Sequence, residues 1–208
     1  MITAQMLRDL RGEMATHLSP YRMAHTLGVE EMTARLAALY CPEKEPLLRA
    51  AALLHDLTKE LKNGEQTAIL AAHGITLRPD EQASPKIWHG ITAALEIPTR
   101  YPAFAAPELL SAVRWHTTGH VGMTLPEAIL FLADYIEEGR TFPDCIALRN
   151  RFFEAEPTAM PMPARRRHLR DVLLLSFDYT LSELEASGGS VCPDSLAARE
   201  DLKNRSEI

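Results

Sequence analysis

Cysteine is scarce in this chain of 208 residues, and long hydrophobic runs are missing. The three cysteines, Cys41, Cys145 and Cys192, lie far apart and form no CxxC motif. This spacing argues against a disulfide framework and favours a reducing, cytoplasmic environment. The first residues contain no apolar signal region, and no segment approaches the roughly 20 apolar residues of a membrane span. We therefore expect no association with a membrane.

An excess of positive charge is also missing. The 22 lysines and arginines are outnumbered by 28 aspartates and glutamates, which gives a net charge of −6. This balance argues against nucleic acid as a partner, and an anionic ligand would need a local group of cations or a metal. Apolar residues make up 46% of the chain, which is enough for a substantial core. The length fits one large domain, or at most two small ones.

No alternating strand pattern of useful length occurs, and almost every segment has the periodicity of a helix. Ser19 and Pro20 predict the start of one helix, as its N-cap and first residue. Gly74 and Gly119 predict the ends of two others. The sequence therefore predicts an all-α helical bundle with a single domain over residues 1–194. Residues 195–208 are polar and are expected to form a flexible tail.

Six titratable side chains fall on or beside the apolar faces of these helices. A run of apolar residues at helical spacing leads to most of them, as Leu48 and Ala51 lead to the adjacent pair His55 and Asp56. On a helix, two adjacent side chains point about 100° apart, so His55 and Asp56 are expected to face different directions. The six residues are His25, His55, Asp56, His89, His116 and Asp134.

A single histidine on an apolar face is most often a core residue with its hydrogen bonds satisfied. A buried aspartate is more demanding, because an unpartnered carboxylate costs several kcal/mol or becomes protonated. Two such aspartates and four histidines would satisfy one another at one metal centre. Imidazole and carboxylate suit iron, manganese, cobalt or zinc. Six ligands exceed the need of one tetrahedral ion, and Asp56 could bridge two ions ~3.5–4 Å apart.

The order of these residues resembles the HD-domain superfamily of metal-dependent phosphohydrolases. Within it, the chain is similar to the YqeK-like symmetrical dinucleoside tetraphosphatases, roughly from Arg22 to Arg199. The motif HTTG followed closely by ADYIE is the most specific part. The segments that carry the resemblance are AHTLGVEEMTARLA, LLHDLTK, WHGITAA, AVRWHTTG and MTLPEAILFLADYIEEGR.

The resemblance implies cleavage of diadenosine tetraphosphate into two ADP molecules by a hydroxide that bridges two metal ions, with Asp56 and Lys59 as catalytic residues. Iron is the expected metal, and manganese or cobalt are possible. Asp56 would bridge the two ions. The ligands expected for the first ion are His25, His55, Asp56 and Asp134. Those expected for the second are His89 and His116, together with the bridging Asp56.

Three cations lie within helical reach of the expected ligands and could hold the phosphates: Arg22, Lys59 and Arg140. Each could instead be a solvated surface charge, an alternative that carries most weight for Arg22. The loop that follows His116 could contact phosphate or ribose, although it could simply end the helix. Its residues are Thr117, Thr118 and Gly119. The oligomeric state is left open, with a homodimer as one possibility.

The pattern leaves three other interpretations open. The same metal core could belong to a nucleotidase or phosphodiesterase that acts on another nucleotide, and only product identification would separate the two. A regulatory nucleotide-binding domain without turnover would lack at least one ligand, and none is missing. A structural helical bundle with core histidines would purify without metal.

Overall fold

The computed structural model describes all 208 residues and contains helices joined by turns, with no strand. The all-α prediction is therefore confirmed. None of the helices combines the length and the apolar character that crossing a membrane requires. The α-helices in chain order are α1 (Ala4–His17), α2 (Pro20–Tyr40), α3 (Glu45–Leu54), α4 (Asn63–Ala72), α5 (Pro79–Gln82), α6 (Trp88–Arg100), α7 (Pro107–Trp115), α8 (Leu125–Ile136), α9 (Pro143–Glu154), α10 (Met162–Ser187) and α11 (Pro193–Asn204).

Proline determines where most of these helices begin. Eight α-helices carry a proline in their first turn, where the missing N–H has no helical partner to lose. Ser19 caps α2 as predicted, because its hydroxyl accepts a hydrogen bond from the amide of Arg22 at 3.2 Å. Gly74 and Gly119 adopt φ angles of 67° and 62° in the turns that follow α4 and α7.

The helices that matter most for function form one packed group. Helix α2 packs against both α3 and α8, and α7 lies between α6 and α8. Helix α10 packs against α8 on its other side and also contacts α9 and α11. Phe131 of α8 stacks on Phe177 of α10, with ring centroids 4.7 Å apart. This apolar packing brings the C-terminal ends of α3 and α7 and the start of α6 close to the second turn of α2.

The C-terminal segment differs from the flexible tail expected at residues 195–208. Residues 193–204 form α11, and its Ser195, Ala198 and Leu202 are buried because they repeat at helical spacing on one face. Beyond the helix, Arg205 donates a hydrogen bond to the carbonyl of Met123 at 2.8 Å. The sequence did not predict this helix because its composition is polar and only a few of its residues pack against the core. The extent of the single domain, placed at 1–194, stays a prediction.

Docking of α11 can be tested by comparing two leucines of that helix. Leu202 is fully buried, whereas Leu196 is 50% exposed. We expect Leu202→Ala to lower the free energy of unfolding by about 2–5 kcal/mol, because it leaves a cavity in the core. The control Leu196→Ala should change it by no more than about 0.5 kcal/mol. Urea denaturation measures both, and equal, small effects would show that α11 contributes nothing to stability.

Candidate metal centre

The six residues predicted as metal ligands come from five neighbouring elements and meet in one cluster. One lies within α2, two follow the end of α3, one is in the first turn of α6, one follows α7, and one lies in the last turn of α8. All are buried or nearly so, with side chains between 0% and 19% exposed. The six are His25, His55, Asp56, His89, His116 and Asp134.

His55 and Asp56 lie in a turn and not within a helix, which corrects the expectation that both are helical. Helix α3 ends at Leu54, and the chain continues in tight turns through residue 61. The amide of Leu57 donates a hydrogen bond to the carbonyl of Leu54 at 3.1 Å, and the amide of Lys59 donates one to the carbonyl of Asp56 at 3.0 Å. These i to i−3 bonds tighten the backbone relative to an α-helix. The directions of the two side chains therefore come from the turn.

Asp56 lies at the centre of the cluster, with its two oxygens facing different histidines. Its Oδ2 is 3.4 Å from Nε2 of His55 and 3.8 Å from Nε2 of His25. Its Oδ1 is 3.2 Å from Nε2 of His89 and 3.9 Å from Nε2 of His116. One carboxylate thus faces both halves of the histidine set.

Two overlapping groups in this cluster have their ligand atoms close enough to hold an ion. In each group, all ligand atoms lie within 4.8 Å of one another. The first group contains His25, His55 and Asp134, and the second contains His55, Asp56 and His116. His89 adjoins the second group, with its Nε2 at 3.1 Å from Nε2 of His116. Paired imidazole nitrogens and carboxylate oxygens form a donor set typical of transition metals.

Hydrogen bonds to the backbone set the tautomers of two histidines. Nδ1 of His55 lies 2.6 Å from the carbonyl oxygen of Ala52, and Nδ1 of His116 lies 2.7 Å from that of Val113. A carbonyl oxygen only accepts, so each Nδ1 carries the proton and each Nε2 has a lone pair. Nε2 of His55 is buried and has no hydrogen-bond partner. A buried, unpartnered lone pair aimed into the cluster fits a ligand for a metal ion.

The two aspartates are anionic at neutral pH. Burial by itself raises the pKa of Asp56, but the surrounding imidazoles, His55 first and then His89, outweigh burial and hold the pKa well below its ordinary value. Burial also raises the pKa of Asp134, and the adjacent His25 ring together with the charge of Arg140 outweighs it. Both carboxylates are therefore in the protonation state that metal binding requires.

Two of the histidines are neutral because burial disfavours their charged form. Burial lowers the pKa of His89, although Asp56 partly opposes this effect. Burial lowers the pKa of His116 to about 3, and the nearby rings of His89 and His55 act in the same direction because they disfavour another positive charge. Neutral imidazole is the form that binds a metal ion, so neither ring has to lose a proton before coordination.

His25 bridges two carboxylates, one of which was not predicted. Its Nε2 is 3.1 Å from Oδ1 of Asp134, and its Nδ1 is 3.2 Å from Oε1 of Glu137. Burial lowers the pKa of His25, but the carboxylates of Asp134 and Glu137 beside its ring outweigh burial and raise the pKa to about 9. Glu137 follows the last residue of α8, where acidic residues are usually solvated, so its pattern gave no signal of burial. Its position one turn after Asp134 was the only available clue.

The three predicted cations converge on the same cluster. Nη1 of Arg22 lies 2.7 Å from Oδ2 of Asp56, and Nη2 of Arg140 lies 2.6 Å from Oδ1 of Asp134. Nζ of Lys59 is 3.3 Å from both ring nitrogens of His89. Burial lowers the pKa of Lys59, although the charges of Asp56 and Asp134 oppose it. The interpretation of these residues as solvated surface charges does not fit these contacts.

The loop after α7 has fewer free groups than expected. The amide of Gly119 already donates to the carbonyl of Trp115 at 2.8 Å, and a side chain at position 119 would collide with Phe177. The hydroxyl of Thr118 donates to the carbonyl of Gly119 at 3.0 Å. Only the hydroxyl of Thr117 is buried without a partner. Gly119 and Thr118 therefore have structural roles, and Thr117 is the member of the loop with a group to offer a ligand.

The other histidines lie outside the cluster. His17 and His73 are partly exposed at the ends of α1 and α4, and His168 bonds to a backbone carbonyl of α9. His120 lies against Trp115, with its Nε2 3.1 Å from Oε2 of Glu127.

Comparison with known proteins agrees with this geometry. The family model described as HD domain matches residues 22–139, a range that includes all six clustered residues. A protein of Halalkalibacterium halodurans named "Bis(5'-nucleosyl)-tetraphosphatase, symmetrical" is 30% identical over 89% of this chain and 91% of its own length. Proteins of the same name from Bacillus subtilis and Staphylococcus aureus are 32% and 33% identical, over 61% and 62% of this chain and 66% and 65% of their own lengths.

A solved structure supports the fold over almost the whole chain. It is the crystal structure of a "predicted HD superfamily hydrolase involved in NAD metabolism" from Clostridium acetobutylicum. The two chains superpose with a TM-score of 0.81 and are 29% identical, and the match covers 95% of this chain and 97% of the other. The similarity therefore includes the C-terminal helices as well as the segment that carries the cluster.

The central position of Asp56 leads to a direct test. We expect Asp56→Asn to remove most bound metal and to abolish turnover, because the amide keeps the shape but loses the charge that both halves of the cluster face. Elemental analysis measures metal per chain, and circular dichroism should show unchanged helicity. The control Asp178→Asn alters a partly exposed aspartate that pairs with Arg199 outside the cluster and should change neither property. Full metal loading in Asp56→Asn would contradict a central role.

Proposed function

This chain belongs to the HD domain family and to its group of symmetrical bis(5'-nucleosyl)-tetraphosphatases, and from that premise we propose that it hydrolyses dinucleoside tetraphosphates symmetrically. Diadenosine tetraphosphate would give two molecules of ADP. The observation that carries the proposal is the buried Asp56 carboxylate, which directs one oxygen toward each half of a four-histidine cluster. Such a carboxylate suits a centre with two metal ions.

The ligand assignment follows from the two oxygens of Asp56. On its Oδ2 side lie His25 and His55, with Asp134 beside them, and these residues would hold the first ion. On its Oδ1 side lie His89 and His116, which would hold the second. Divalent ions held there would supply Lewis acidity toward phosphate oxygens and toward water. We expect iron, with manganese or cobalt as alternatives, because the donor set accepts all three.

The cations beside the cluster would bind the polyphosphate. Arg140 and Arg22 already contact the two aspartates, so their guanidinium groups lie where the negative charge of the substrate must approach. Lys59 lies on the other side, against His89, and would donate a hydrogen bond to the phosphate that departs. Their joint effect is to orient the phosphate chain and to neutralise charge as the central P–O bond breaks.

Two cavities next to the cluster suit a substrate with two nucleoside ends. The first, of about 350 Å³, is lined by Asp134 and Arg140 together with Tyr135 and the exposed ring of Phe142. The second, of about 330 Å³, is lined by both threonines of the loop after α7 and by residues 83–87. We propose that Phe142 stacks on one base and that the free hydroxyl of Thr117 contacts the other half of the substrate. Thr118 also lines the second cavity and would shape it, and Gly119 would hold the loop in place through its hydrogen bond to Trp115.

Product identification tests the proposed reaction. Metal-loaded protein incubated with diadenosine tetraphosphate should yield ADP as the sole nucleotide product, as measured by anion-exchange chromatography. AMP together with ATP would overturn the symmetric cleavage. The Asp56→Asn protein, assayed alongside, measures the background from contaminating enzymes.

A second candidate is hydrolysis of another nucleotide by the same centre. The name of the Clostridium acetobutylicum protein mentions NAD metabolism, so NAD, which is also a dinucleotide, should be tested as a substrate. In the same assay, faster cleavage of NAD or of a mononucleotide than of diadenosine tetraphosphate would favour this candidate.

The cytoplasmic location stays a prediction. The three cysteines are free thiols, which is consistent with it. The homodimer also stays a prediction.

Arg140 provides a test of phosphate binding. We expect Arg140→Gln to lower kcat/KM for diadenosine tetraphosphate about 10- to 100-fold, because a hydrogen bond to a charged group contributes about 1.5–3 kcal/mol. The control Arg199→Gln disrupts a partly exposed arginine–aspartate pair outside the cluster and should leave kcat/KM unchanged. Metal content must be measured on the same samples, since Arg140 contacts Asp134. A loss of metal that accounts for the whole effect would contradict a role in phosphate binding.

A further inference from the structure

Glu137 contacts the cluster from outside the six expected ligands. Its side chain is only 4% exposed, although it lies just beyond the end of α8. Oε1 lies 3.2 Å from Nδ1 of His25, and Oε2 accepts a hydrogen bond from the amide of Gly139 at 2.5 Å. A carboxylate only accepts hydrogen bonds, so Nδ1 of His25 must be the donor. The opposite ring nitrogen, Nε2, then faces Asp134.

A glycine on the facing helix makes room for this carboxylate. Gly28 lies one turn after His25 in α2, inside a helix where alanine would be the more favourable residue. A Cβ at position 28 would lie 3.1 Å from Cδ of Glu137 and would overlap its Oε2. Those atoms are the far end of a flexible side chain, so an added methyl group would displace the carboxylate and leave the helix intact.

The backbone of Glu137 is held as firmly as its side chain. Nη1 of Arg149 donates to the carbonyl of Glu137 at 2.6 Å, and the amide of Arg140 donates to the same oxygen at 3.0 Å. These bonds complete the C-terminus of α8, whose last carbonyls have no helical partners. Backbone hydrogen bonds thus fix the position of residue 137, and the space beside Gly28 accommodates its carboxylate.

We propose that Glu137 is a positioning residue of the metal centre, whose carboxylate holds His25 by its Nδ1–H, and that Gly28 is required to leave room for it. This inference rests on the proposed metal centre and adds a residue outside its ligand set. A carboxylate that accepts the second N–H of a metal-binding histidine fixes the orientation and tautomer of the ring. Loss of such a partner weakens metal binding, typically 10- to 100-fold.

Titration of metal-free protein with Co²⁺, followed by visible absorption, tests the inference without any substrate. Glu137→Ala and Gly28→Ala should each weaken the binding of one of the two ions about 10- to 100-fold. Glu137→Gln should lose less, because its amide oxygen can still accept the hydrogen bond from His25. In the Glu137→Ala background, Gly28→Ala should cause no further loss, since the group that it displaces is gone.

Two matched controls separate this effect from general ones. Glu138→Gln changes the neighbouring glutamate, whose side chain is 64% exposed, and Gly12→Ala changes a helical glycine with open space around it. Both should bind Co²⁺ as wild type does, and circular dichroism should show that all variants stay helical. Unchanged affinity in Glu137→Ala and Gly28→Ala would overturn the inference, as would additive losses in the double variant. A wild-type protein that binds no Co²⁺ would overturn the metal centre as well.

Discussion

The burial of two ionised carboxylates in an apolar helical core is the constraint on which the rest of the structure depends. Asp56 and Asp134 remain charged there only because histidines and arginines surround them. The histidines in turn are oriented by carbonyls of their own helices and by Glu137. Removing one member therefore leaves several others without partners. Metal ions fit this arrangement because they satisfy the lone pairs that the hydrogen bonds leave free.

The helices place these groups mainly through their ends. His55, Asp56 and His116 follow the last residues of α3 and α7, and His89 lies in the first turn of α6. Residues just beyond a helix terminus can point their side chains in directions that a regular helix does not allow. This explains how Asp56 faces both halves of the histidine set. His25 comes from the second turn of α2 and Asp134 from the last turn of α8, and those two helices pack directly together.

Local patterns predicted much of this structure, and long-range packing decided the rest. The helix start at Ser19 and Pro20 depends on neighbouring residues, and it was predicted. The six clustered residues were predicted because an ionisable group on an apolar face needs a partner. The tight turn at His55 and Asp56 was missed, since nothing in its composition separates it from a helix. Glu137 was missed because its burial depends on a glycine of another helix, and α11 because few of its residues are apolar.

The spread of the cluster along the chain has a consequence for how the protein loses its structure. Its members extend from residue 25 to residue 134, so a bound ion ties together segments separated by long stretches of chain. Like a cross-link, such a tie removes more freedom from the unfolded chain when the loops that it closes are long. An ion that binds only the folded form also shifts the unfolding equilibrium in proportion to its free concentration. The supply of metal would then determine the lifetime of the protein as well as its activity.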